Sequence, residues 1–208
     1  MPNAIVTGAS RGLGRELSRV LVQHGWTVIA DARTPFEEEG VTVVTGDVTD
    51  PAHRKALVSQ LDHIDLLINN AGALGPSPLP PLRTAPLDAF RDVFETNVFA
   101  PLALIQEALP KLRNAIVVNV TSDAAPEPYA GWGVYGSSKA ALEAASRVLA
   151  VEEPTLTVWQ VDPGDLRTQM HQDAYPGEDI SDRPLPSAVA PRLIELLGKR
   201  PPSGRYQL

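Results

Sequence analysis

Short apolar runs and amphipathic stretches alternate along this chain from one end to the other. Asn3 to Thr7 is an apolar run with β-branched residues, the pattern of a short strand. Leu13, Leu17, Val20 and Leu21 then recur at helical spacing, and Gly25 ends that helix. Thr27 to Ala30 and Val41 to Val44 read as the next two strands, and Pro51 to Leu61 as a helix. Asp65 to Asn69 and Ala115 to Val120 are nearly continuous apolar runs of strand length, which suit strands buried on both faces. Between them, Leu87 to Leu112 predicts a long helical region kinked at Pro101. A helix over Val134 to Val151, a strand over Leu156 to Val161, a helix over Ala188 to Leu197 and a short strand over Arg205 to Leu208 complete the series.

Strand and helix in alternation predict an α/β fold with one doubly wound parallel sheet of about seven strands and helices on both faces. Neither a repeat nor a linker interrupts the pattern, so a single domain over 1–208 is expected. Composition narrows the function. The net charge of −7 gives no help to binding nucleic acid or an anionic membrane. With no cysteine, disulfides, thiolate metal sites and a cysteine nucleophile are excluded. No His/Asp/Glu grouping has convincing metal spacing. No apolar stretch approaches the roughly 18 residues a membrane span needs. The first strand begins at about residue 3, leaving no room for a signal peptide, and a cytoplasmic protein is expected.

Thr7-Gly8-Ala9-Ser10-Arg11-Gly12-Leu13-Gly14 joins the first strand to the first helix. Glycines there allow a tight turn and a close approach of backbone to a pyrophosphate. The helix N-terminus offers free N–H donors and positive potential. This marks a dinucleotide cradle. Far along the chain, Tyr135 and Lys139 stand four apart, one helical turn, so both project on one face. Reducing a carbonyl needs a positioned proton donor, and free tyrosine, with a pKa of about 10, is poorly matched to neutral pH. A neighbouring ammonium stabilises tyrosinate and lowers that pKa.

The glycines at 8, 12 and 14 depart from the common G-x-G-x-x-G spacing. They resemble the T-G-x-x-x-G-x-G signature of the short-chain dehydrogenase/reductase family, and the resemblance spreads over nearly the whole chain. Asn69-Asn70-Ala71-Gly72 is similar to the family's N-N-A-G, and Asn97 falls where the family has a catalytic asparagine. Ser122, Tyr135 and Lys139 resemble its S…Y-x-x-x-K, with thirteen residues from serine to tyrosine. Pro163-Gly164-Asp165-Leu166-Arg167-Thr168 resembles its P-G-x-[V/I]-x-T. The resemblance implies a Rossmann-like fold and an oxidoreductase moving hydride between a nicotinamide cofactor and a carbonyl or alcohol. It also implies roles. Tyr135 is the general acid/base, Lys139 lowers its pKa and holds the nicotinamide ribose, and Ser122 stabilises charge on the substrate oxygen. Asn97 supports a proton relay near Lys139. Gly8, Ser10, Arg11, Gly12, Leu13, Gly14, Asn70, Ala71 and Gly72 line the cofactor. Asp47 and Val48 border its adenine, and Pro163, Gly164, Leu166 and Thr168 clasp its carboxamide and pyrophosphate.

The end of the second strand chooses between cofactors. Asp31 invites an NAD(H) reading, in which a carboxylate bonds the ribose 2′-OH. The family's strand, however, puts its acidic position at Ala32 and leaves Arg33 where NADP(H)-preferring members carry a basic residue. Arg33 and Arg11 can pair with a 2′-phosphate, provided that Asp31 points away. NADP(H) is therefore expected over NAD(H). Asp47 is equally open to a helix-capping role, which Asp50 could also fill.

The chain is short for the family. Gln169 to Pro186, where a substrate-covering lid is usual, is polar, acidic and broken by proline, so a mobile or irregular loop is expected. A small lid argues against a deep steroid slot and leaves a small carbonyl substrate or an exposed site. His171 reads as an exposed loop residue, and Tyr129 and Trp132 as substrate walls. Ala140, Ala141, Ala144, Ala145 and Val148 make a small-residue helix face, which in the family helps build a homodimer or homotetramer. A competing reading is an NADP(H)-binding redox sensor or scaffold without turnover. A sugar-nucleotide epimerase or dehydratase is disfavoured by the glycine spacing and the lack of a larger C-terminal domain.

Overall fold

In a computed structural model that describes residues 1–208, the strands are β1 (Asn3–Val6), β2 (Thr27–Ala32), β3 (Val41–Thr45), β4 (Ile64–Asn69), β5 (Leu112–Val120), β6 (Thr157–Asp162) and β7 (Gly204–Gln207). They form one parallel sheet in the order β3-β2-β1-β4-β5-β6-β7. The helices are α1 (Gly12–Gln23), α2 (Pro51–Ser59), α3 (Leu87–Phe94), α4 (Ala100–Ala108), α5 (Gly133–Glu152), α6 (Gln169–Ala174) and α7 (Pro186–Lys199). No helix is long and apolar enough to cross a membrane. The doubly wound, Rossmann-like sheet expected from the alternation is present.

Alternate side chains of each central strand face opposite layers, and both layers are apolar. Ala4, Val6, Leu66 and Ile68 pack with Leu13, Leu17, Leu21, Val189 and Leu193 on the side of α1 and α7. Ile5, Leu67, Val117 and Val158 pack with Leu57, Leu104 and Ile105 on the side of α2 and α4. Strand order runs outward from β1 in one direction and from β4 in the other. The crevice for a ligand therefore opens at the carboxyl ends of these two strands.

One buried polar ladder crosses that apolar layer. Asn69 Nδ2 donates to Asn119 Oδ1 at 2.8 Å, Asn119 Nδ2 to Ser146 Oγ at 2.8 Å, and Ser146 Oγ to the Leu142 carbonyl at 2.7 Å. Each such bond contributes about 1 kcal/mol net, while an unmet buried donor costs about 1–3 kcal/mol. The ladder therefore fixes the register of α5 on the sheet, and with it the position of every site residue α5 carries.

Two expectations are refined. The long helical region runs through Pro101 without a break, since Phe99 and Ala100 before it already have right-handed helical backbone, and the missing N–H of Pro101 interrupts the helical ladder there. The irregularity lies just before it, as a π turn over Glu95–Phe99 centred on the buried Asn97. The segment after the proline-glycine motif is not wholly irregular either. Thr168 caps α6, and Met170, Ala174 and Tyr175 turn one face of it inward against Leu74, Trp132 and Tyr135.

Candidate active site

The glycine loop after β1 and the Asn70 loop after β4 meet with no room for a side chain between them. Gly8 has φ +68°, and a Cβ there would lie 2.7 Å from Ala71 Cα. A Cβ on Gly14 would fall 2.4 Å from Asn70 Nδ2 and 2.5 Å from the Gly8 carbonyl. Polar bonds lock the approach. Thr7 Oγ1 accepts from the Asn70 and Ala71 N–H groups, each at 3.0 Å, and Asn70 Nδ2 donates to the carbonyls of Thr7 and Gly8. Gly12, at φ +60°, and Leu13 open α1. Arg11 stands in the capping position with no side-chain cap, leaving the first helical N–H groups to a ligand. The Thr168 methyl lies close to Gly12, so the end of the proline-glycine loop borders the same cradle.

Asp31 turns its carboxylate into the fold. Its buried carboxylate accepts from the Gly8 N–H at 2.5 Å and meets His53 Nε2 at 3.1 Å. Burial raises its pKa above the ordinary carboxylate value, although the Gly8 N–H and His53 act the other way. Asp31 thus braces the glycine loop from behind, a role its sequence position does not advertise. Ala32 follows it, buried, and Arg33 is exposed at the strand end. Arg11 is exposed as well, and neither arginine takes part in any of the chain's ion pairs. Two free guanidiniums beside an uncapped helix N-terminus suit a phosphorylated dinucleotide. Asp47 binds the N–H and hydroxyl of Thr49, and it is Asp50, not Asp47, that caps α2. Val48 is buried beside it. Burial works against the Asp47 charge, but the Thr49 bonds and Arg33 outweigh it and hold its pKa low.

Across the crevice, the π turn delivers Asn97 to the Asn70 loop. Its Oδ1 accepts from the Ala73 N–H at 2.8 Å, and its Nδ2 donates to the Ala73 carbonyl and to Ser138 Oγ, both at 2.9 Å. The extra residue of the π turn is what aims the amide inward. A Cβ on Gly72 would come 3.5 Å from Asn97 Oδ1 and 3.8 Å from Lys139 Nζ, which places all three around one point. Lys139 is buried on α5 and donates to the Val120 carbonyl at 2.8 Å, with Nζ 5.5 Å from the centre of the Tyr135 ring. Burial lowers its pKa to about 8.

Tyr135 is buried too. Burial pushes its hydroxyl pKa above the ordinary tyrosine value, Asp162 and Asp123 push it further, and the neighbouring Ser122 acts against them. Desolvation dominates, and the Lys139 Nζ is bonded to the Val120 carbonyl. Ser122 Oγ also donates to Asp123 Oδ1 at 3.0 Å and accepts from the Ala124 N–H at 3.2 Å. Ser122, Tyr135, Lys139 and Asn97 therefore do converge at the carboxyl ends of β4 and β5.

The walls differ in part from expectation. Trp132 packs edge-on against Tyr135 with ring centres 5.6 Å apart, and Tyr175 of the segment after α6 lies 6.0 Å from Trp132. Tyr129 stays exposed and donates to Asp123 Oδ2. His171 is not an exposed loop residue. It is buried on α6 against Tyr175, 3.9 Å from Asp165, and its Nε2 has no partner. Gly164, at φ +70°, donates its N–H to Asp162 Oδ1, Pro163 is half-buried, and Leu166 anchors the loop in the core. Sequence reasoning passed over Asp162, Glu143, Thr121 and Arg205, which form an ionic cluster behind Ser122 with buried carboxylates and a partly exposed guanidinium. No local motif signals it, because its members come from four separate segments. No group of three or more His, Asp or Glu side chains is arranged to hold a metal ion.

Comparison with known proteins bears on this arrangement. A family model described as short chain dehydrogenase matches residues 2–179. A serine 3-dehydrogenase of Rhizobium radiobacter is 35% identical over 182 residues, which cover 79% of this chain and 72% of that protein. A benzil reductase ((S)-benzoin forming) of Saccharomyces cerevisiae is 30% identical, covering 92% and 79%. Among solved structures, the oxidoreductase yciK from Escherichia coli matches with a TM-score of 0.89 and 28% identity, over 99% of this chain and 93% of its own. A short chain dehydrogenase from Shigella flexneri, solved complexed with NADP, matches with a TM-score of 0.88 and 28% identity, over 99% and 95%.

The shifted pKa values carry a stability signature. The folded chain releases the Lys139 proton near pH 8, whereas an unfolded lysine keeps its proton to 10.5. Stability should therefore rise with pH across that interval, by an amount on the order of 3 kcal/mol if fully expressed. Above about pH 10 the raised Tyr135 pKa works in the opposite sense, because the unfolded tyrosine ionises first. Urea midpoints measured from pH 7 upward should climb beyond pH 8 and flatten near pH 10. Lys139→Met should remove the climb, and a parent chain without it would contradict the buried ammonium.

Proposed function

The chain belongs to the short-chain dehydrogenase family, and from that premise we propose that it moves hydride between NADP(H) and the carbonyl or alcohol carbon of a small substrate. The observation that carries the reading is the convergence of Tyr135, Ser122, Lys139 and Asn97 beside the glycine cradle. The nicotinamide supplies the hydride when bound. The chain's own residues do the rest. Tyr135 hands its hydroxyl proton to the oxygen on which charge develops, and takes it back in oxidation. Ser122 donates a hydrogen bond to the same oxygen once it turns from Asp123. Lys139, already fixed by the Val120 carbonyl, would hold the nicotinamide ribose hydroxyls, and Asn97 holds the Ala73 backbone and Ser138 beside it, where it would support a proton relay. Trp132 and Tyr175 exclude water from Tyr135, which strengthens each of these interactions.

Cofactor choice follows from where the charges lie. Asp31 is turned into the fold by Gly8 and His53, so no carboxylate on β2 reaches a ribose hydroxyl. Arg33 and Arg11 are free to pair with a 2′-phosphate, which favours NADP(H) over NAD(H). The outer face of α5 is half-buried or exposed at its alanines and leaves Val148 and Val151 in solvent. That supports pairing of α5 with a second copy.

Three outcomes are expected. Tyr135→Phe should lower NADPH-dependent reduction of an aldehyde and ketone panel by about 10²–10⁴-fold with NADPH affinity retained. Undiminished turnover in that variant would remove the tyrosine from the chemistry. Arg33→Ala should raise the KM for NADPH by about 10–100-fold, the worth of one charge-assisted bond, and leave the KM for NADH nearly unchanged. Equal effects on both cofactors would show that Arg33 does not read the 2′-phosphate. Light scattering should find a dimer or tetramer that Val148→Glu weakens, and a monomeric parent would end the pairing proposal.

A further inference from the structure

The last strand places a charged side chain directly behind the reaction centre. Arg205 stands opposite Gln160 in the β6–β7 register, and its guanidinium reaches Asp162 and the Ser122 carbonyl at the carboxyl ends of β6 and β5. Its Nε donates to Glu143 Oε1 at 3.0 Å, and its Nη2 to Asp162 Oδ2 at 2.9 Å and to the Ser122 carbonyl at 3.2 Å. Both carboxylates are nearly inaccessible, with side-chain exposures of 8% and 4%. Each serves a second partner. Glu143 Oε1 accepts from Thr121 Oγ1 at 2.7 Å, and Asp162 Oδ1 accepts from the Gly164 N–H at 2.9 Å. Arg147 meets Glu143 only at 3.7 Å and from solvent. Buried carboxylates need a close cation, and for these two Arg205 is the near one.

We propose that Arg205 is a positioning residue: it ties Ser122, the head of the proline-glycine loop and α5 into one ionic cluster, and shields Tyr135 from the Asp162 charge. The proposal rests on the reading of Ser122 and Tyr135 as the reaction centre. Its physical basis is twofold. The fork geometry of a guanidinium lets one side chain hold three acceptors from three segments, which an ammonium could not do with the same spread. Asp162 is also one of two carboxylates that raise the Tyr135 pKa, the other being Asp123, while Ser122 acts against them and Lys139 Nζ lies 5.5 Å from the centre of the tyrosine ring. With its positive charge 2.9 Å from Asp162, Arg205 offsets that field.

The test compares Arg205→Ala, Arg205→Lys and the double variant Arg205→Ala/Asp162→Asn with the parent. In Arg205→Ala, kcat should fall about tenfold or more, and the limb of the kcat–pH profile set by Tyr135 should move alkaline by about half to one unit. The double variant should return the limb to the parent position while kcat stays reduced, because the Ser122 contact is still missing. Arg205→Lys should keep the limb and lose part of kcat, and it decides the matter should the alanine variant not fold. An unshifted limb in Arg205→Ala, or one that Asp162→Asn fails to restore, would reduce Arg205 to a structural clasp and overturn the proposal. Should the parent itself turn over no substrate with NADPH, the functional reading fails separately. Hydrogen exchange then decides the positioning claim. Faster exchange over 120–125 and 162–166 in Arg205→Ala, absent from the control Arg183→Ala, supports it, and unchanged exchange there overturns it.

Discussion

Everything at the carboxyl end of this sheet depends on two loops approaching without a side chain between them. Gly8 against Ala71, and Gly14 against Asn70, bring backbone to backbone at the point where strand order reverses. The approach would cost unmet polar groups if it were not satisfied locally. Thr7, Asn70 and Asp31 satisfy it, each bonding the backbone of a loop other than its own or at its own edge. A buried aspartate looks wasteful beside an anionic ligand site. Turned inward, it holds a glycine N–H and meets His53 Nε2, and the outer surface is left to Arg11 and Arg33.

The same economy links the cradle to the reaction centre. Asn97 spends its amide on Ala73 and Ser138, so the loop after β4 and the helix carrying Tyr135 cannot shift independently. The Asn69–Asn119–Ser146 ladder ties that helix to the sheet a second time, two turns further on. Arg205 ties it a third time, from the far edge. Side chains that must act within hydrogen-bond reach of one another are thus fixed by neighbours that touch none of the reacting atoms.

Much of this was legible in the sequence because it is local. Apolar runs such as those at Leu66–Ile68 and Ile116–Val118 suit strands buried on both faces, and the glycine spacing marks where the first helix begins. Tyr135 and Lys139 share a helix face by arithmetic. What escaped was set by tertiary context. Pro101 is the strongest local breaker near residue 100, yet the irregularity sits before it, in the π turn at Asn97, whose partners lie on another loop and on α5. The short helix α6 looked irregular because Gln, His and Asp separate Met170 from Ala174. Only the presence of Trp132 and Tyr135 below gives that spacing an apolar face to pack on. Asp31 and Arg205 are ordinary charged residues in sequence, and their direction is decided by Gly8, His53, Glu143 and Asp162, none of them near in the chain.

Electrostatics around Tyr135 also bear on which way the proposed reaction runs more readily. Burial, Asp162 and Asp123 all favour the neutral phenol, and burial likewise lowers the Lys139 pKa to about 8. A neutral phenol is the form a proton donor must hold at the start of a carbonyl reduction. The acceptor there is a developing alkoxide, far more basic than a phenolate, so the transfer remains downhill even from a tyrosine whose pKa is raised. Oxidation of an alcohol asks the reverse, a tyrosinate formed beforehand among carboxylates, and each charge that protects the phenol then counts against it. On the proposed reading, the charges this chain places near its tyrosine suit reduction better than oxidation, and the arginine behind Asp162 moderates that bias.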